Sequence, residues 1–95
     1  MRAEARLACV MWPRAYGGAG LGAVEHYIGS AEIDTLAVVP PINLVGFGIC
    51  LPSVLHEGSE AQKRAYLPPA VRGEHVWCQL FSEPGSGSDL AALKT

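Results

Sequence analysis

The chain has 95 residues, of which 49% are hydrophobic and 17% are charged, and its formal net charge is −2. This length allows one domain at most and lies near the lower limit for burying an adequate core. The near-balanced charge and the lack of a Lys/Arg cluster exclude an electrostatic surface for nucleic acid or an anionic membrane.

Cysteine and hydropathy patterns exclude further classes of protein. The three cysteines form no CxxC pair and the three histidines follow no ligand spacing, which argues against a disulfide framework and a metal site. The longest apolar run, residues 36–51, is broken by Pro40, Pro41, Asn43 and two glycines, so it is too short to span a membrane. The N-terminal apolar run is also too short for a signal peptide. The sequence therefore predicts a cytoplasmic protein.

The first predicted element is a helix over residues 23–38, where apolar side chains recur at helical spacing. Pro40 and Pro41 are expected to end this helix, because the residue before a proline is driven out of the helical conformation. Pro41 is also suited to begin the next helix, since its missing N–H would have no partner there.

The second predicted element is a buried, interrupted helix over residues 42–56. Pro52 lies inside it, so we expect the helix to restart near Pro52 and to end at Gly58. The small residues Gly46 and Gly48 are expected to let another backbone come close.

A capping box predicts the third helix. Ser59 is followed three positions later by Gln62, so the serine side chain can accept from the Gln62 amide while the glutamine side chain reaches back. Pro68 and Pro69 are expected to end this helix soon after Leu67.

A turn at residues 72–74 and a strand over residues 75–81 complete the predicted order of elements. A single strand cannot satisfy its own backbone hydrogen bonds, so this one requires a partner that the sequence does not supply.

One glycine-rich stretch, residues 18–23, fits the G-x-G-x-x-A dinucleotide fingerprint. That fingerprint needs a strand running straight into the glycines. Here residues 12–16 intervene, and the apolar residues 36–39 end in prolines rather than in an acid for a ribose hydroxyl. The context therefore argues against a Rossmann domain.

A second glycine-rich stretch, SEPGSGSD at residues 82–89, suggests an anion-binding loop. Pro84 fixes its own φ, while Gly85 and Gly87 permit positive φ, so successive amides can point into one concavity alongside three serine hydroxyls. No lysine follows at P-loop spacing, which argues against a nucleoside triphosphate as the ligand. The alternative interpretation is a polar turn after a strand.

Four segments occur in the order and approximate spacing of one known family, and the likeness runs over residues 12–95. They are WPRAYGGAG at 12–20, EGSEAQKRAYLP at 57–68, GE at 73–74 and LFSEPGSGSD at 80–89. The chain resembles the acyl-CoA dehydrogenase family.

The resemblance implies a mainly α fold, the helical N-terminal domain of acyl-CoA dehydrogenases, ending in the first strand of a β domain. Residues 1–75 would be part of the all-helical domain, and residues 76–95 the first strand and flavin loop of the middle β domain. The chain is then expected to be a fragment in which the second domain has barely begun.

The resemblance also implies which residues bind the cofactor, FAD. Gln79 and the Phe81 backbone would line the flavin, and the Ser82 hydroxyl would bond the edge of its ring near N5. Gly87 and Ser88 would lie beside the pyrophosphate, and Ser88 would also contact the acyl-CoA substrate. The loop has Ser86 where the family often has alanine.

The implied reaction is α,β-dehydrogenation of an acyl-CoA thioester, with electron-transfer flavoprotein as acceptor and a homo- or hetero-tetramer as the assembly. The family's base is a glutamate in a C-terminal helical bundle, so no catalytic residue is assigned here and the isolated chain is expected to be inactive. Glu83 is interpreted as a carboxylate that braces its turn.

Two alternatives stay open at this point. The chain could be a non-catalytic partner that co-assembles with a full-length homologue through its exposed strand and apolar helical faces. The second alternative is a flavin monooxygenase or oxidase on the same fold. It stays open because the groups that control oxygen access to the flavin are not in this sequence.

Overall fold

The computed structural model describes residues 6–36 and 42–95. Helix α1 spans Ala23–Asp34, α2 spans Leu51–Glu57 and α3 spans Glu60–Val71. Short helical turns lie at Arg14–Tyr16, Gly46–Cys50 and Leu90–Ala92. These two ranges contain no strand, so the mainly helical fold class is confirmed.

The core lies where α2, α3 and the chain before α1 meet. Leu51 of α2 and Leu67 of α3 are fully buried at its centre. Five further buried residues complete the cluster: Cys9, Trp12, Tyr16, Ala70 and Val71. Burying a leucine side chain contributes about 1.5–3 kcal/mol relative to exposing it, so α2 and α3 are the elements that hold the fold together.

Helix α1 buries no residue, and its large apolar side chains Val24, Tyr27 and Ile28 are 69%, 74% and 56% exposed. It also ends at Asp34, before the predicted residue 38, and the Thr35 hydroxyl donates to the carbonyl of Glu32 (2.6 Å) at that end. The two prolines predicted to end the helix lie outside the described residues.

The interruption in the second helix is a π-helical turn, Gly46–Cys50, that runs directly into α2. Pro52 has no N–H to donate, and its ring would clash with the carbonyl four residues earlier. The turn widens there: the Leu51 amide donates to the carbonyl of Gly46, five residues back. The predicted restart near Pro52 and the end at Gly58 are confirmed, whereas burial is confined to part of the segment, with Leu44 and Ile49 exposed.

Helix α3 begins as predicted and ends later than predicted. The Gln62 amide donates to Ser59 Oγ (3.3 Å), and the Ser59 amide donates to Gln62 Oε1 (2.8 Å). The helix continues through both prolines to Val71. Burial of Ala70 and Val71 in the core outweighs the lost backbone donors, so the prediction that the helix ends after Leu67 is wrong.

The turn after α3 is confirmed and closes with a two-point ion pair. Gly73 adopts φ +79°, a conformation that only glycine enters without strain. The Arg72 guanidinium donates to both Glu74 carboxylate oxygens at 2.7 and 3.0 Å. This pairing lowers the pKa of Glu74 and raises that of Arg72.

Residues 75–82, the extended segment, form neither a helix nor a ladder, so the predicted strand is not formed within the described residues. A strand exists only when a neighbour accepts and donates its backbone hydrogen bonds. Here the neighbours are side chains: the Asn43 amide bonds the His75 carbonyl (3.1 Å) and the Trp77 amide (2.9 Å), and Cys50 Sγ lies 3.8 Å from the Cys78 carbonyl.

Candidate functional site

The five residues predicted to contact FAD are all exposed, and they follow the extended segment in chain order. Gln79 and Phe81 lie in the extended chain, and Ser82, Gly87 and Ser88 lie on the turn that comes after it. All five residues therefore lie at the surface rather than in the core.

The turn is closed by a pair of hydrogen bonds between Glu83 and Ser86. The Glu83 amide donates to the Ser86 carbonyl (2.8 Å), and the Ser86 amide donates back to the Glu83 carbonyl (3.0 Å). This pair brings the residues just outside it, Ser82 and Gly87, to the open end of the turn. The Ser86 hydroxyl is buried and donates to the Asp89 carbonyl (2.6 Å), so it is not available to a ligand.

The predicted nest is only partly formed. Neither Gly85 nor Gly87 has positive φ, because the 83–86 pair already fixes the turn without a left-handed residue. However, the amides of Gly87 and Ser88 have no hydrogen-bond acceptor within residues 6–36 and 42–95. Two adjacent free amides beside the Ser82 and Ser88 hydroxyls retain the donor chemistry that an anion requires.

Glu83 is engaged with the end of the chain. Its carboxylate accepts from the amides of Lys94 and Thr95, each at 3.1 Å, and from the Thr95 hydroxyl. The Thr95 hydroxyl, followed by the Lys94 amide, lowers the pKa of Glu83. The carboxylate thus holds Lys94 and Thr95 against the turn, whereas the turn itself is closed by the backbone pair of Glu83 and Ser86.

The other glycine-rich stretch is closed to a ligand. The amides of Gly18, Gly20 and Leu21 donate to the carbonyls of Pro13, Trp12 and Val10 at 3.2, 2.8 and 3.1 Å. A dinucleotide fingerprint needs such amides free for the pyrophosphate. The described residues before this stretch form turns rather than a strand, which agrees with the rejection of a Rossmann domain.

A groove of about 300 Å³ lies between α2, α3 and the extended segment. Its aromatic wall is Tyr66 against Trp77, with ring centroids 5.6 Å apart at 85°. None of the five predicted cofactor-binding residues lines this groove.

Sequence reasoning missed Asn43, the residue that attaches the extended segment to the helical unit. Asn43 is 5% exposed, and Gly46 provides the space for its side chain. The expected approach of another backbone at Gly46 is therefore replaced by the approach of a side chain. A lone asparagine in an apolar run, three residues before a glycine, is the signal that identifies it.

Two features are absent from the described part of the chain. No group of three or more His, Cys, Asp or Glu side chains in residues 6–36 and 42–95 is arranged to hold a metal ion. Over the same residues, every helix is too short or too polar to cross a bilayer.

Comparison of the sequence with known proteins shows the family of this chain. A family model described as the acyl-CoA dehydrogenase N-terminal domain matches residues 1–74. The chain belongs to the acyl-CoA dehydrogenase family. Members of this family are oxidoreductases, and the resemblance recognised from the four segments is confirmed.

Individual relatives agree with this assignment. The chain is 39% identical over 93 residues to Acyl-CoA dehydrogenase FadE34 of Mycobacterium tuberculosis, covering 98% of this chain and 13% of the relative. It is 34% identical over 93 residues to Acyl-CoA dehydrogenase IpdE1 of the same organism, covering 98% and 24%. A mitochondrial isovaleryl-CoA dehydrogenase of Oryza sativa is 39% identical over 83 residues, covering 86% and 20%. The chain spans less than a quarter of the length of each.

Proposed function

We propose that this chain forms one wall of the flavin site of an FAD-dependent acyl-CoA dehydrogenase. The observation that carries the proposal is the exposure of Gln79, Phe81, Ser82, Gly87 and Ser88, whose free amides and hydroxyls follow the helical unit in the chain. In this proposal residues 1–75 belong to the helical domain and residues 76–95 begin the β domain. The end of the last α-helix at Val71 supports that division.

Each residue in this wall has a defined role in the proposal. The Ser82 hydroxyl donates to the edge of the flavin ring, beside the Phe81 backbone and the Gln79 side chain. Gly87 and Ser88 donate their amides to the pyrophosphate, and Ser88 also contacts the acyl-CoA. The exposure of all five residues and the free amides at Gly87 and Ser88 support this arrangement.

When bound, FAD supplies a hydride acceptor for the β-hydrogen of the acyl thioester. The part of this chain in catalysis is positioning: fixed donors hold the ring and the pyrophosphate so that the reacting bonds align. The base is proposed to lie outside these 95 residues. Three carboxylates here are already engaged, Glu60 by Tyr16, Glu74 by Arg72 and Glu83 by residues 94–95, which supports leaving them out of the chemistry.

The isolated chain is proposed to be inactive, because one wall with exposed donors does not enclose a flavin or exclude water from it. Activity then belongs to a longer polypeptide or assembly that also supplies the base and the rest of the pocket. An acyl-CoA substrate, electron-transfer flavoprotein as acceptor, a tetrameric assembly and a cytoplasmic location are parts of the same proposal.

A chimera tests the proposal. The matching 83-residue segment of the rice isovaleryl-CoA dehydrogenase is replaced by the corresponding residues of this chain, and the unmodified relative serves as the control. The expected result is a yellow protein after desalting that oxidises an acyl-CoA with a dye as acceptor. A chimera that folds and assembles like the control but holds no flavin would contradict the proposal.

A non-catalytic partner subunit is the second candidate, and exposed apolar surface favours it. Helix α1 exposes Val24, Tyr27 and Ile28, and the extended segment exposes Leu80 and Phe81. Surfaces of this kind are suited to co-assembly. Size-exclusion chromatography of the chain with a full-length relative separates the candidates, because a stable mixed complex without added activity favours the partner subunit.

A further inference from the structure

Asn43 takes the place of a neighbouring strand for the extended segment. Its Nδ2 donates to the His75 carbonyl (3.1 Å), and its Oδ1 accepts from the Trp77 amide (2.9 Å). A carbonyl only accepts and a backbone amide only donates, so these partners fix the orientation of the side-chain amide. In an extended chain this carbonyl and this amide point to the same side, where an adjacent strand would bond them.

Gly46 makes room for the Asn43 side chain. The Asn43 carbonyl accepts from the Phe47 amide (3.0 Å), which fixes the asparagine at the start of the helical segment. A Cβ added at Gly46 would lie 2.6 Å from Asn43 Cγ and 2.9 Å from Nδ2, whereas a Cβ added at Gly48 would meet nothing within 4 Å. Only the glycine at position 46 therefore leaves room for the asparagine side chain.

The Asn43 contacts are among the last fixed points before the loop. Trp77 also packs edge-on against Tyr66, and Cys50 Sγ lies 3.8 Å from the Cys78 carbonyl. Residues 79–82 make no hydrogen bond to any other described residue. Five residues of extended chain reach at most roughly 17 Å, so the position of Trp77 limits where Ser82 can lie.

We propose that Asn43 is a positioning residue for the loop at residues 79–88. By replacing a strand neighbour, it fixes Trp77 relative to α2 and α3 and thereby sets the point from which the loop departs. The ligand of the loop rests on the proposed function, whereas the positioning is a property of the flavin-free chain.

The test uses the 95-residue chain without flavin and three variants. Asn43→Ala removes both hydrogen bonds, Gly46→Ala forces the asparagine side chain out of its place, and Gly48→Ala is the matched control. Amide hydrogen exchange is measured at Trp77 and at Leu67 in the core, and ¹H–¹⁵N spectra report the amide environments of residues 79–88.

Asn43→Ala and Gly46→Ala are expected to speed exchange at Trp77 by about tenfold, the loss of one ordinary hydrogen bond, and to shift the amide signals of residues 79–88. Exchange at Leu67 stays unchanged, and Gly48→Ala matches the parent at every site. An unchanged Trp77 rate in Asn43→Ala would overturn the proposal. Equal acceleration at Trp77 and Leu67 would overturn it too, because Asn43 would then be a general stability residue.

The two proposals fail in different experiments. Flavin retention by the chimera decides whether the loop belongs to an FAD site. The exchange rates and amide shifts, measured without flavin, decide whether Asn43 positions that loop. In the chimera, Asn43→Ala is expected to weaken FAD binding about tenfold relative to Gly48→Ala.

Discussion

The Tyr16 hydroxyl donates a 2.7 Å hydrogen bond to Glu60 Oε1, which joins two residues 44 positions apart. Tyr16 ends the short helical turn in the N-terminal segment, and Glu60 is the first residue of α3. The bond lowers the pKa of Glu60 and raises that of Tyr16. It therefore ties the WPRAY segment to the capping-box helix, two of the segments by which the family was recognised.

Tyr16→Phe is expected to lower the free energy of unfolding at neutral pH. Because the folded pKa of Glu60 lies below its ordinary value of 4.5, the ionised carboxylate stabilises the fold above that pH. This stabilisation is lost as the pH falls through the folded pKa. The difference between the parent and Tyr16→Phe should thus shrink in acid, as measured by urea unfolding from pH 7 to pH 3.

Tyr66→Phe is the matched control, since the Tyr66 hydroxyl makes no hydrogen bond within the described residues. It should leave both stability and its pH dependence unchanged. A Tyr16→Phe curve that coincides with the parent curve at every pH would show that the bond does not contribute in solution, and a constant offset would show that its contribution does not depend on the ionisation of Glu60.

Ser59→Ala is expected to destabilise the chain by about 1 kcal/mol, the usual contribution of a serine N-cap. The variant leaves the Gln62 amide without its acceptor. Ser53→Ala in α2 is the control: its hydroxyl donates to the Ile49 carbonyl four residues back (2.9 Å), a bond that helices do not need. Thermal unfolding of the two variants side by side should separate them, and equal melting temperatures would contradict the capping role.

Gly18→Ala is expected to cost about 1–3 kcal/mol or more, as overpacking does. A Cβ at Gly18 would lie 2.6 Å from the Cys9 carbonyl and overlap the Trp12 carbonyl. Gly29→Ala in α1 meets nothing within 4 Å and should stabilise the chain by up to about 1 kcal/mol through helix propensity. Urea midpoints measure both, and a neutral Gly18→Ala would mean that this loop is open, as a dinucleotide site would be.

Cys9 is expected to be the slowest of the three thiols to react. Burial raises its pKa from 9.0 to about 12, so little thiolate forms at pH 8, whereas Cys78 is exposed. Iodoacetamide labelling followed by mass spectrometry should show Cys9 modified at least about 100-fold more slowly than Cys78. In denaturant the rates should converge. Fast labelling of native Cys9 would show that the core around Trp12 opens.

Local features of the fold could be predicted from the sequence. The capping box of Ser59 and Gln62, the stop at Gly58 and the turn around Gly73 each depend on residues within a few positions, so residue type fixes them. Family recognition added the expected position of the flavin loop, a level of information that periodicity does not contain.

Features decided by distant contacts could not be predicted. Helix α3 runs through Pro68 and Pro69 because Ala70 and Val71 are buried against Cys9, Trp12 and Tyr16, a contact that no local rule contains. The strand at residues 75–81 is predicted from composition, but a strand needs a neighbouring strand, and within residues 6–36 and 42–95 its hydrogen-bond partners are the side chains of Asn43 and Cys50.

The loop at residues 82–89 shows a third limit on what can be predicted from the sequence. Gly85 and Gly87 permit positive φ, yet neither adopts it. A glycine can adopt this conformation but does not impose it on the chain. The backbone pair between Glu83 and Ser86 makes that selection.

The most direct test of the central claim is the visible spectrum and FAD affinity of the chimera carrying Ser82→Ala, compared with the chimera carrying Ser53→Ala. Only Ser82→Ala is expected to shift the flavin absorption bands and to weaken FAD binding, by up to about tenfold for one lost hydrogen bond. Identical spectra and affinities for the two variants would contradict it, because the Ser82 hydroxyl would then not contact the flavin.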